Sequence, residues 1–113
     1  MSILEKQQYF AELTIQLFEY ILKQKYKFTY GEAYRPQEMQ DLYWKQGKTR
    51  TRNSQHGKRL AIDVNLFMDG VYLNKTEDYA FLGTYWQSLD PLCVWGGSWR
   101  QFKDGNHFEL KAE

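Results

Sequence analysis

The sequence holds little of what marks several large protein classes. Its single cysteine, Cys93, has no partner for an internal disulfide, so the chain is not built on the cystine framework of small secreted domains. Cys93 is expected to be a small buried apolar residue. No run approaches the roughly 20 consecutive apolar residues of a membrane-spanning helix, and no insertion into a membrane is expected. The first residues, Met1 to Gln8, carry Glu5 and Lys6 and show no apolar stretch before a small-residue cleavage site. Synthesis in the cytoplasm without a signal peptide is therefore expected. Charge of one sign is also missing: 15 Lys and Arg against 14 Asp and Glu give +1, which withholds the broad electrostatic footprint of a nucleic-acid binder. No internal repeat and no low-complexity tract interrupts the chain.

What is present is a core. Apolar residues make up 42% of the 113 residues and aromatics 18%, enough to fold without staples and to exclude a disordered polypeptide. One domain over residues 1–113 is expected. Ser2 with Glu5 forms a capping-box pattern, and Phe10, Leu13, Leu17 and Ile21 recur at helical spacing, which predicts an amphipathic helix over about 3 to 25. Pro36 to Gln46 reads as a second, short helix with proline in its first turn and Gly47 ending it, so that Arg35 stands at its mouth. Leu60, Ile62, Val64 and Leu66 alternate with Ala61, Asp63, Asn65 and Phe67 as in a strand, which turns Asp63 away from the Ile62 and Val64 face; Asp69-Gly70 then makes a hairpin into Val71-Tyr72-Leu73. Thr76 is placed to cap a third helix whose Tyr79, Leu82, Trp86 and Leu89 share a face and which ends before Pro91. Gly96-Gly97 precedes a strand at His107 to Leu110. This order predicts an α+β fold.

Between Asp41 and Asp63 the charges are Lys45, Lys48, Arg50, Arg52, Lys58 and Arg59, all positive, in a stretch whose segment from Gly47 to Lys58 has no aliphatic residue and no acid. Such a loop is either a solvated basic surface or a surface that draws in an anionic substrate. Each of the two histidines lies near an acid: His56 seven residues before Asp63, His107 three after Asp104. Two imidazoles and a carboxylate meet the ligand count of a catalytic zinc site, which keeps its fourth position for water, and Asp104 is placed to take a proton from that water. Spacing alone favours surface or hydrogen-bonded His and Asp pairs over a metal site. It matches neither the helical zinc-protease pattern nor a cysteine site.

The segments Ser54-Gln-His56-Gly-Lys-Arg-Leu-Ala61-Ile-Asp63 and Trp95-Gly-Gly-Ser-Trp99, continuing to Asp104-Gly-Asn-His107-Phe-Glu109, resemble the two signature blocks of the D-alanyl-D-alanine carboxypeptidase and L-alanyl-D-glutamate endopeptidase family, which includes phage endolysins. The resemblance implies a small antiparallel sheet flanked by helices, with a Zn2+ site in a cleft on the sheet. It implies His56, Asp63 and His107 as ligands and Asp104 as the general base. It further implies that Arg35, in Glu32-Ala-Tyr-Arg35, holds a substrate carboxylate with Ser54 as a second contact, where a structural salt bridge and a turn hydroxyl are the alternatives. Arg59 stands where many members have glycine, and Asp104 is one methylene shorter than the glutamate of many relatives. Trp95, Trp99 and Phe108 are expected in the core or the cleft wall, and Glu109 shares a strand face with His107. The implied substrate is the stem peptide of bacterial peptidoglycan, cut by a monomeric phage or prophage endolysin released at host lysis. The L-alanyl-D-glutamate bond is favoured and the D-alanyl-D-alanine bond is the alternative. A non-catalytic wall-binding or nucleic-acid-binding module is the reading from another class.

Overall fold

The longest strand, β2 (Ala61–Met68), organises the sheet of a computed structural model that describes residues 1–49, 51, 54–101 and 103–112. Its neighbours are β1 (Lys27–Tyr30) along one edge and β5 (His107–Leu110) along the other, with β4 (Cys93–Trp95) beyond β5 and the two-residue β3 (Val71–Tyr72) folded back on its far end. Every pairing is antiparallel. The Asp69-Gly70 turn takes positive φ at both residues, 52° and 79°, which matches a tight hairpin between β2 and β3.

One face of this sheet is the core. Ile62, Val64 and Leu66 of β2, Phe108 and Leu110 of β5, and Cys93 and Trp95 of β4 pack against α1 (Ile3–Lys23) and α3 (Ala80–Leu89). The buried stripe of α1 is Phe10, Leu13, Leu17 and Ile21, each fully buried leucine or isoleucine contributing about 1.5–3 kcal/mol by leaving water. Its capping box forms as the sequence predicts: Glu5 N–H donates to Ser2 Oγ and Ser2 N–H to Glu5 Oε1. The helix is shorter than predicted, because Gln24 caps it and Lys25 turns to φ 71°, reversing the chain into β1. Trp86 of α3 donates its indole N–H to the carbonyls of Val94 and Glu109, clamping the helix to β4 and β5.

Two strands went unpredicted. β1 has a single half-buried side chain and no alternation, and β4 is only three residues long. Thr76 is not a helix cap: Lys75 takes that place, its N–H donating to Asp78 Oδ2, and Thr76–Tyr79 form a 3-10 turn ahead of α3. The second helix, α2 (Gln37–Lys45), lies within its predicted bounds, with Pro36 as its N-cap. Inside the polar loop that follows, Gln55–Lys58 close into another 3-10 turn. Arg50 and Arg52 of that loop lie outside the described residues. Among the described residues no helix is long and apolar enough to cross a membrane.

Candidate metal centre

Alternation along β2 and β5 turns Asp63 and His107 to the face opposite the core, where they are direct partners across the strand pair. A close approach braces the spot. Gly31 donates to the Asp63 carbonyl at 2.8 Å, and a Cβ on Gly31 would come within 2.8 Å of the Asp63 Cβ. Gly96 does the same for the other ligand strand: a Cβ there would meet the Asp104 carbonyl at 2.3 Å and the His107 Cβ at 3.0 Å. His56 enters from the 3-10 turn, whose first residue it follows; the Ser54 hydroxyl accepts its N–H at 3.1 Å, and its carbonyl accepts from Arg35 and Arg59.

The three side chains converge. His56 Nε2 and His107 Nδ1 each lie 3.2 Å from Asp63 Oδ1, and one donor atom from each residue falls within 4.8 Å of the others. The outer nitrogens are held elsewhere: His56 Nδ1 pairs with the Ala33 carbonyl at 2.9 Å and His107 Nε2 with Glu109 Oε1 at 2.7 Å. When those outer nitrogens carry the protons, both inner nitrogens aim lone pairs at a carboxylate oxygen. Three acceptors facing one point repel unless a cation sits among them, and an outer partner for each imidazole is how metal-binding histidines are oriented. The donor set therefore fits a divalent metal ion.

Without a metal, a proton takes the cation's part. Burial opposes ionisation of Asp63, yet hydrogen bonds from His107 and His56 and their charge outweigh it and hold the carboxyl at about 2. Burial likewise opposes the His107 imidazolium, yet hydrogen bonds to Asp63 and Glu109 push it up to about 9. Asp63 thus stabilises the metal-free fold above its ordinary value of 3.8, an effect lost as pH falls through about 2. His107 contributes fully below its ordinary 6.5, and that contribution is lost as pH rises through about 9. With chelator present, the urea midpoint is expected to fall between about pH 6 and pH 10 by the equivalent of roughly 3 kcal/mol. A flat profile across that range would contradict the pairing.

A cavity of about 570 Å3 opens on these residues, lined by His56, His107, Asp104 and Trp99 together with Arg35, Tyr43 and Lys48. Asp104 Oδ2 lies 3.9 Å from His107 Nδ1, outside the donor triangle. Burial raises its pKa, and the Asp63 charge adds to the effect. The Trp99 ring stands 5.1 Å from that of His107, forming wall, while Phe108 and Trp95 belong to the core. Glu109, only half-buried by its place on the strand, is fixed on His107. Arg35 forms a salt bridge with Glu32 and donates from Nη1 to Gln40 Oε1 at 2.7 Å, so the structural alternative is realised while its guanidinium still lines the cavity. Ser54 also lines it, with its hydroxyl engaged in the turn. Of the basic run, Lys48 and Lys58 reach the cavity. Arg59 lies over the Tyr34 ring at 4.0 Å and takes a φ of 60°, in the left-handed region that favours glycine. Gln40, Tyr43 and Thr51 line or brace the site with no signal in the sequence beyond their polarity; Gln40 also donates to the Thr51 carbonyl.

A family model described as D-alanyl-D-alanine carboxypeptidase matches residues 46–110, which hold both signature segments. A search among curated proteins found no match. Among solved structures, the L-Ala D-Glu endopeptidase ChiX of Serratia marcescens superposes with a TM-score of 0.65 and 28% sequence identity, over 74% of this chain and 66% of that one. The chain thus spans just under two thirds of the length of that neighbour. Since the family model covers more than half of the sequence, the chain belongs to the D-alanyl-D-alanine carboxypeptidase family of peptidases.

Proposed function

We propose that the chain is a zinc-dependent peptidase that hydrolyses amide bonds beside D-amino acids in the stem peptide of bacterial peptidoglycan. His56, Asp63 and His107 would hold the metal and Asp104 would act as general base. The observation that carries this reading is the convergence of the inner nitrogens of both imidazoles on Asp63 Oδ1 at 3.2 Å, with their outer nitrogens already engaged. A bound zinc ion supplies Lewis acidity towards the scissile carbonyl and an activated water.

The chain's own groups do the rest. Asp104 receives a proton from the attacking water at a carboxylate oxygen, and burial, which raises its pKa, makes it a stronger base than an exposed carboxylate. The water oxygen joins the carbonyl carbon, the C–N bond breaks, and Asp104 returns the proton to the leaving amine. Arg35, held in place by Glu32 and Gln40, retains N–H groups for a substrate carboxylate, and Trp99 forms cavity wall beside His107.

The finer reading is a phage or prophage endolysin that reaches the wall at host lysis and cuts the L-alanyl-D-glutamate bond. The choice of bond is supported by the described activity of the Serratia neighbour. Cleavage of the D-alanyl-D-alanine bond is the second reading, favoured by the description of the family model. The test is release of new amino groups from purified peptidoglycan, with fragments weighed by mass spectrometry. Release is expected with zinc, lost on chelation and restored by added zinc. Zinc-loaded protein that frees no amines would sink the proposal.

A further inference from the structure

Asp104 stands between two hollows. Beyond the cavity that holds the metal donors, a smaller one of about 190 Å3 is lined by Tyr72, Asn74, Lys75, Lys103 and Asn106 together with Asp104 itself. Its walls come from the β3 hairpin end, the start of the 3-10 turn before α3, and the turn leading into β5. The lining is almost entirely polar. Among the described residues neither Lys75 nor Lys103 forms an ion pair, so both positive charges are available. Asn106 is anchored by donating its Nδ2–H to Asn65 Oδ1 at 3.2 Å, while its own side-chain oxygen has no partner among the described residues.

The chemistry of such a hollow is specific. Two ammonium groups meet a carboxylate, and a fixed amide oxygen accepts a peptide N–H. Its position decides what that ligand is. A peptidase that trims a terminal residue needs room on one side of its base, whereas one that cuts within a chain needs room on both. Here the base itself forms the partition.

Resting on the peptidase reading above, we infer that the smaller hollow is a subsite for the stretch of an anionic peptide that continues past the scissile bond, with Lys75 and Lys103 receiving a carboxylate and Asn106 the backbone. The protein then cuts inside a stem peptide and prefers substrates long enough to span both hollows.

The experiment compares the zinc-loaded parent with a Lys75→Ala, Lys103→Ala double variant and with Lys103→Glu. Substrates are an anionic stem peptide extending several residues on both sides of the bond and a counterpart truncated to one residue on one side. The parent is expected to favour the long peptide in kcat/KM, and the double variant to lose about tenfold of that preference through KM, the yield of two exposed charge contacts. Charge reversal should lose more. A preference unchanged in both variants, or a parent that processes only the truncated peptide, overturns the subsite and leaves the peptidase reading standing. If the parent cleaves neither peptide, that reading fails instead, and an NMR titration with the long peptide decides the subsite. Shifts at Asn106 that vanish in the double variant support it; the absence of shifts at Asn106 and Lys103 in the parent overturns it.

Discussion

Asp104→Asn is expected to slow amide hydrolysis by about a hundred- to ten-thousandfold, the range a positioned acid or base commands, while the protein binds as much zinc as before. The expectation separates a base from a ligand by distance. Asp63 Oδ1 lies 3.2 Å from both inner imidazole nitrogens, whereas Asp104 Oδ2 stands 3.9 Å from His107 alone. The turn survives the change, because the bonds that shape it, Asp104 N–H to the Gly96 carbonyl and His107 N–H to the Asp104 carbonyl, are backbone to backbone. Asparagine keeps the volume and removes only the ability to take a proton. Since burial and the Asp63 charge raise the Asp104 pKa, the acid limb of kcat/KM in the parent should lie above the usual carboxylate range, and the residual rate of the variant should lack that limb. Measured zinc content and single-turnover rates check both halves. A variant that loses zinc along with activity would make Asp104 a ligand, and one that stays active would remove it from the chemistry.

How much of this was legible in the sequence follows from which signals are local. The core face of β2, the α1 stripe and the Asp69-Gly70 turn are written in periodicity and turn chemistry, and the structure places them as read. β1 and β4 escaped because short strands with few buried residues have no period to detect; their pairing partners, not their own residues, make them strands. His56, Asp63 and His107 were candidates by residue type and ligand count, but the resemblance was needed to choose a metal site over hydrogen-bonded pairs, since His107 arrives from β5 by a strand register that no spacing reveals. The engagement of Arg35 with Glu32 and Gln40 needed coordinates, because it depends on where α2 carries Gln40. Glu109 is the instructive case. Sharing a face with His107 was readable from alternation, but the 2.7 Å contact depends on the half-burial that Trp86 helps to impose by gripping the Glu109 carbonyl at 3.0 Å.

That contact sets a graded expectation for metal affinity. Asp63→Ala removes a direct donor and should weaken zinc binding on the order of a thousandfold, about a third of the 10–16 kcal/mol a whole structural site commands. Alanine keeps the Cβ on which Gly31 packs, so the loss reflects the carboxylate and not a collapsed strand pair. Glu109→Ala leaves all three donors but frees the outer nitrogen of His107, and should weaken binding by about ten- to a hundredfold. Glu109→Gln still offers an oxygen to that nitrogen and lacks only the charge, so its loss should be the smallest of the three. Competition against a chelator of known strength gives the affinities. Melting with and without zinc gives an independent reading, because binding to the folded state alone raises stability by RT ln(1 + [Zn]/Kd). Zinc should therefore stabilise the parent most, Glu109→Gln nearly as much, Glu109→Ala less, and Asp63→Ala scarcely at all. The metal-free Asp63→Ala protein should also show a smaller fall in stability between about pH 6 and pH 10, since one of the two carboxylates that lift the His107 pKa is gone while Glu109 remains. If Glu109→Ala binds zinc as tightly as the parent, the contact has no influence on the metal site. If Asp63→Ala does, the metal lies elsewhere and the convergence of the two imidazoles on one carboxylate serves the fold alone.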